Sequence, residues 1–172
     1  EGGTNFTNSL LVGTDSTGTL SSADGNTGVG VEVFSALTTG DNNTAVGLCS
    51  MALNTTGALN TAVGQTSLKS NTEGSCNTAM GGLALNANTT GTCNVAVGDN
   101  ALKTQTTAND NTAIGHDTLC SITSSAGGST AVGNKVMQKN TTGYYNASVG
   151  SLAMCCNTTG HSNATLGYKS LA

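Results

Sequence analysis

The chain has 172 residues, a formal net charge of −4 and 8% charged residues, with 24 glycines and no proline. Five Lys+Arg residues cannot neutralise a run of phosphates and 3% aromatics provide no stacking platform, which argues against nucleic-acid binding. No apolar run approaches the ~20 residues of a membrane-spanning helix.

In chain order, Gly13, Gly30, Gly47, Gly64, Gly81, Gly98, Gly115, Gly133, Gly150 and Gly167 recur every 17 residues with one step of 18. A period this short leaves room for a single turn of a coil, so each unit buries its apolar side chains against the next. Residues 1–24 keep Val12 and Gly13 but carry Thr17 where later units have a large apolar residue. This stretch is expected to be a degenerate first repeat, a cap or a donated strand, and residues 25–172 form the array proper.

With each of these glycines as position 0, the unit reads Asn at −4, Thr at −3, Ala at −2 and an aliphatic at −1, as in Asn43 to Gly47. A large apolar residue follows at +4 (Phe34, Met51, Leu68, Leu85), and a second glycine marks a corner at +10 (Gly40, Gly57, Gly74, Gly91, Gly143, Gly160). Helical repeats need roughly 34 residues. Thr-Ala-Val runs bounded by glycine and asparagine are strand-and-turn chemistry instead. The sequence therefore predicts an all-β fold, a parallel β-solenoid or β-roll of about ten 17-residue turns with two short strands per turn. Stacked at about 4.8 Å per turn, it would form a rod roughly 45–50 Å long.

Alternation along a strand places −3, −1 and +4 inside, with the −3 threonines hydrogen-bonding up the stack. The alanines at −2 would then form a smooth outer face, suited to lateral packing. At the carboxy terminus the tenth unit stops in mid-repeat, so Leu166, Gly167, Tyr168 and Leu171 are read as an assembly end that another copy completes.

Six cysteines in so polar a chain point to an oxidising compartment. Cys76 and Cys93 share position −5 in consecutive units, about 4.8 Å apart, and form the candidate disulfide. Cys49, Cys120, Cys155 and Cys156 have no evident partner. Glycosylation sequons occur at Asn5, Asn42, Asn54, Asn88, Asn140, Asn146, Asn157 and Asn163. Four of them, Asn54, Asn88, Asn140 and Asn157, fall at +7, where glycans would line one ridge. The alternative is that Asn-Thr-Thr-Gly simply makes a turn.

No catalytic, cofactor or metal site is expected. His116 and Asp117 are adjacent, and neighbours in a strand face opposite ways. No Cys-x-x-Cys pair occurs, and both His116 and His161 stand apart from the cysteines. Gly127-Gly128 lacks the lysine and helix of a phosphate loop and is read as the insertion behind the 18-residue step.

At the Asn-Thr-Ala-Val-Gly units, Asn43 to Gly47, Asn60 to Gly64, Asn77 to Gly81, Asn94 to Gly98 and Asn111 to Gly115, the chain resembles the head repeats of trimeric autotransporter adhesins. It is also similar to repeats of phage and algal-virus tail fibres. The resemblance spans about residues 26–171 and implies a left-handed parallel β-roll, surface exposure, trimerisation and attachment. The adhesin unit is shorter, about 14 residues.

The leading functional expectation is a non-enzymatic structural subunit of an extracellular filament, self-associating head to tail and carrying covalent glycans. The alternative is a trimeric adhesin or viral tail-fibre segment that binds cell-surface glycans. Ice binding ranks third: the threonine column at +8 (Thr38, Thr55, Thr72, Thr89) suggests it, but Thr38-Thr39 and Thr55-Thr56 are adjacent at a corner and point apart.

Overall fold

The computed structural model describes residues 8–13, 18–19, 21–123 and 126–172. Its strands are β1 (Leu10–Val12), β2 (Thr27–Val29), β3 (Thr44–Val46), β4 (Thr61–Val63), β5 (Thr78–Met80), β6 (Val95–Val97), β7 (Thr112–Ile114), β8 (Thr130–Val132), β9 (Ala147–Val149) and β10 (Ala164–Leu166). They form one parallel sheet in chain order. Equivalent residues pair at each joint, as Thr44 with Thr61 and Val46 with Val63. The protein is an all-β solenoid, with no helix among the described residues.

Each turn holds one strand, where two were expected. The second arc is a chain of turns in which non-glycine residues at +2 and +4 take left-handed backbone angles. Cys49 and Met51 have φ of 55° and 50°, and Leu68 and Leu85 have 48° and 50°. Nothing in the propensity of leucine or methionine announces this, because a side chain disfavours positive φ by roughly 1–2 kcal/mol. The arc is held by bonds to both neighbouring turns. The Cys49 amide donates to Val31 O at 2.9 Å, while Met51 and Leu53 donate the other way, to Ser67 O at 3.0 Å and Lys69 O at 2.9 Å. Tertiary hydrogen bonding thus overrides local preference.

The strand faces are the reverse of those expected. Ala45, Ala62, Ala79, Ala96, Ala113 and Ala131 at −2 are fully buried, while the −1 aliphatics Val29, Met80, Ile114 and Val149 are exposed. The coil is narrow, and from β2 to β9 the −2 residue is glycine, alanine or serine against the +4 side chains, while Leu11 of β1 packs on the end of the core. The first full turn makes the point. Phe34, the largest residue in the +4 column, faces Gly28, where even a methyl group would lie 2.9 Å from Val33 Cγ1 and 3.1 Å from Phe34 Cδ2. The core is a single stack of alanine, +3 residues such as Ala84 and Val136, and leucine or methionine.

The glycine at 0 turns the chain out of the strand. Gly47 has φ 133°, and a Cβ there would lie 2.6 Å from Gly64 O on the next turn. Both the backbone angle and the close approach demand glycine.

Candidate functional site

Two columns of buried asparagine run along the coil, interrupted by Leu37, Gln105 and Ile122 at +7 and by Ser129 at −4, and occupy the positions of most sequons. At −4, Asn60 uses its whole amide. Its Nδ2 donates to Asn43 Oδ1 at 3.1 Å and Gly74 O at 2.8 Å, and its Oδ1 accepts from Asn77 N at 2.9 Å and Asn77 Nδ2 at 3.1 Å. Asn43 and Asn77 repeat the pattern; Asn94 differs at one bond, because Asn111 Nδ2 donates to Gln105 Oε1 in its place. At +7, Asn71 Nδ2 donates to Asn54 Oδ1 and Gly74 O, both at 2.8 Å. Both columns lock the second corner to the strand, because one glycine carbonyl accepts from an asparagine of each. Such fully satisfied buried networks fix register, and an unpaired member is expensive.

This placement bears directly on the glycosylation candidates. Asn54, Asn88 and Asn140 at +7 and Asn146 at −4 are buried with Nδ2 engaged. Asn157 and Asn163 are partly buried, their Nδ2 atoms bonded to Asn140 Oδ1 and Asn146 Oδ1. A glycan on any of these would have to draw the side chain out of its ladder. Asn42 is exposed. Asn5 lies outside the described residues. The period made these columns visible, but the sequon pattern gave no sign of their burial.

Cys76 and Cys93 stand one turn apart at −5, both exposed and both with free thiols in this structure. Cys49 donates to Glu32 Oε2 at 3.0 Å; that hydrogen bond, with burial and the carboxylate charge, raises its thiol pKa. Burial, followed by the Cys156 thiol at 3.6 Å, does the same for Cys155. On the tenth unit Leu166, Tyr168 and Leu171 are 82%, 68% and 64% exposed, and Gly167 has open space where a Cβ would stand.

His116 and Asp117 do not point apart, because Asp117 has φ 54° and the alternation of a strand is lost. His116 Nδ1 lies 3.4 Å from Asp117 Oδ2, and its Nε2 is 3.9 Å from Asp99 Oδ2. Among the described residues no three His, Cys, Asp or Glu side chains gather as a metal site, and no helix is long and apolar enough to cross a membrane.

The threonine columns exchange roles relative to the expectation. It is the +8 hydroxyls that bond along the axis: Thr38, Thr55, Thr72 and Thr89 each donate to the next threonine carbonyl at 2.9–3.2 Å. The −3 threonines sit on the outer side of the sheet, beside the −1 aliphatics.

A concavity lies on the surface where the 18-residue step falls. A groove of about 450 Å3 is lined by Asn109, Asp110, Gly127, Gly128, Tyr144 and Tyr145. Gly128 has φ 70° and no side chain, and the Tyr145 ring lies over it. Tyr144 packs edge-on against Tyr145 at 5.2 Å and stacks on His161 at 4.6 Å.

The chain matches no protein-family model, no curated protein and no solved structure. Its class is defined by its own architecture: a parallel β-solenoid repeat protein with one strand and one arc of turns per coil.

Proposed function

We propose that this protein is a structural, non-enzymatic segment of an extracellular filament, built by stacking solenoid turns end on end. The observation that carries the reading is the sameness of its joints. Thr44, Thr61 and Thr78 each donate their amide to the asparagine carbonyl of the next turn at 2.8 Å, and the two asparagine ladders repeat alongside. A turn supplied by another copy is chemically equivalent to the next turn of the same chain, so the same bonds can continue across a subunit boundary. A turn stacked on the tenth unit would bury Leu171, whose +4 counterparts Leu119 and Met137 are fully buried, while Leu166 and Tyr168 stay on the outer face like Val149 and Leu48. Six cysteines in a weakly charged chain support an oxidising, extracellular setting.

Electron microscopy of unreduced material, with light-scattering mass on the soluble fraction, tests this. Rods much longer than the roughly 45–50 Å that ten stacked turns span are expected. Discrete short particles overturn it.

The second reading, a trimeric adhesin or tail-fibre segment that binds cell-surface glycans, is favoured by the groove beside Gly128. Two tyrosine rings offer an apolar platform for a sugar face, and the Asp110 carboxylate and Asn109 amide offer hydrogen bonds. Chemical-shift changes at Tyr144 and Tyr145 on titration with methyl glycosides support it; no change up to tens of millimolar excludes it.

A further inference from the structure

We propose that the outer face of the sheet binds ice. In β2 to β8 the −3 and −1 side chains both point outward with the buried residue between them, as Thr61 and Val63 flank Ala62. Thr44, Thr61 and Thr78 occupy successive rungs of the −3 column, and Val95 fills the next. The −1 column is aliphatic on every strand, and neither column carries a charge.

Geometry gives this surface two fixed repeats. Rungs lie about 4.8 Å apart along the axis, and the columns are two residues apart, roughly 6.7 Å. The result is a near-rectangular, uncharged array of hydroxyls and aliphatic groups whose two spacings come within about a tenth of those between oxygen rows on a face of ice. The array is pre-ordered. Threonine and valine are both stiff at χ1, and the backbone beneath is pinned by amide bonds of one length, 2.8 Å, from Thr44, Thr61 and Thr78.

The hydroxyls are also free to take part. No hydrogen bond to another protein group engages the hydroxyls of Thr44, Thr61 or Thr78, whereas the +8 hydroxyls are spent on the ladder. They can therefore complete the hydrogen bonds of an ordered water layer while the methyl groups sit in its hollows.

A second copy of this chain fits the same face poorly. The seven rungs from β2 to β8 by two columns cover roughly 30 by 7 Å, about 200 Å2, against the ~800 Å2 per partner of a stable interface. The inference does not rest on filament formation, since a rod of any length presents the face.

The test is thermal hysteresis, together with inhibition of ice recrystallisation, on purified folded protein in whatever assembly state it adopts. Wild-type protein is expected to shape ice crystals and hold a freezing-point gap. Thr61→Lys, which puts a solvated charge in the centre of the array, should reduce that gap at least twofold with an unchanged circular dichroism spectrum. Glu73→Gln, an exposed change outside both columns, should leave it intact. Should Thr61→Lys unfold the protein, the milder Thr61→Ser, which removes one methyl, takes its place and should still narrow the gap. Folded wild-type protein without either activity at millimolar concentration overturns the proposal. So does an activity untouched by both Thr61 variants, or light scattering that shows wild-type trimers which Thr61→Lys dissociates.

Discussion

The turns from Asn43 to Gly98 and those from Gln105 to Gly133 solve the same packing problem with different residues. In the first region asparagine fills both ladder columns at every turn described above. In the second, Gln105 and Ile122 replace it at +7 and Ser129 replaces it at −4, within one stretch that also holds the 18-residue step. Gln105 compensates with its longer side chain. Its Nε2 reaches Ala108 O at 2.8 Å, and its Oε1 accepts from Asn111 Nδ2 at 3.1 Å. Ser129 compensates less fully, since its hydroxyl takes the Asn146 amide at 3.2 Å but cannot also reach across to the second corner. What both regions keep is the pairing of the polar side chains in these two columns, and asparagine is the side chain that does this for two directions at once.

The comparison can be broken most severely within the regular region. Asn77→Leu keeps the branched shape but leaves Asn94 N without its acceptor and removes the donor to Gly91 O and Asn60 Oδ1; it should lower unfolding free energy by about 3 kcal/mol. A urea titration measures this through the midpoint. Asn77→Ser carries the irregular region's solution into the regular one. A hydroxyl can still take the Asn94 amide, as Ser129 takes that of Asn146, so the loss should be smaller, about 1–2 kcal/mol by the same titration.

The converse change sharpens the same point. Ser129→Asn would extend the −4 ladder through its gap, and a gain of about 1 kcal/mol in urea is expected, since Asn111 Oδ1 already accepts the Ser129 amide at 2.9 Å.

The smallest effect concerns a thiol of the regular region. With its pKa raised by the Glu32 hydrogen bond, Cys49 should alkylate more slowly at mildly alkaline pH than exposed Cys76, as followed by mass spectrometry. The sign follows from the proton. Folded protein holds it more tightly than unfolded protein, so the linked stability is whole below the ordinary value of 9.0 and fades as pH rises above it. In Glu32→Gln the two alkylation rates should converge.

The expected axial ladder lay on the −3 threonines, whereas asparagines at −4 and +7 build it; the period and the coil were legible, because glycine recurs at position 0 where geometry permits little else. The orientation of the strand was not. Reading Val63 as interior and Ala62 as exterior follows hydrophobicity, yet the interior is set by room, and Leu68 leaves none for valine opposite it. The second strand failed for a different reason. Leu68 and Leu85 adopt left-handed angles only because neighbouring turns supply hydrogen bonds, and such partners are invisible in any single unit. The same inversion moves interest in threonine from +8, where hydroxyls are occupied, to −3, where they face outward.

The direction of the inter-turn bonds has a mechanical consequence. Because nearly all of them run along the axis, tension applied at the chain ends unzips the rod from its termini instead of shearing it as a whole. Each coil released would lengthen the chain by roughly 50–55 Å, the extended reach of one unit less its axial rise. Force–extension traces should therefore show a sawtooth of near-equal steps, with an irregular tooth where Gln105, Ile122 and Ser129 interrupt the ladders. A solenoid of this kind behaves as a shock absorber that yields one coil at a time.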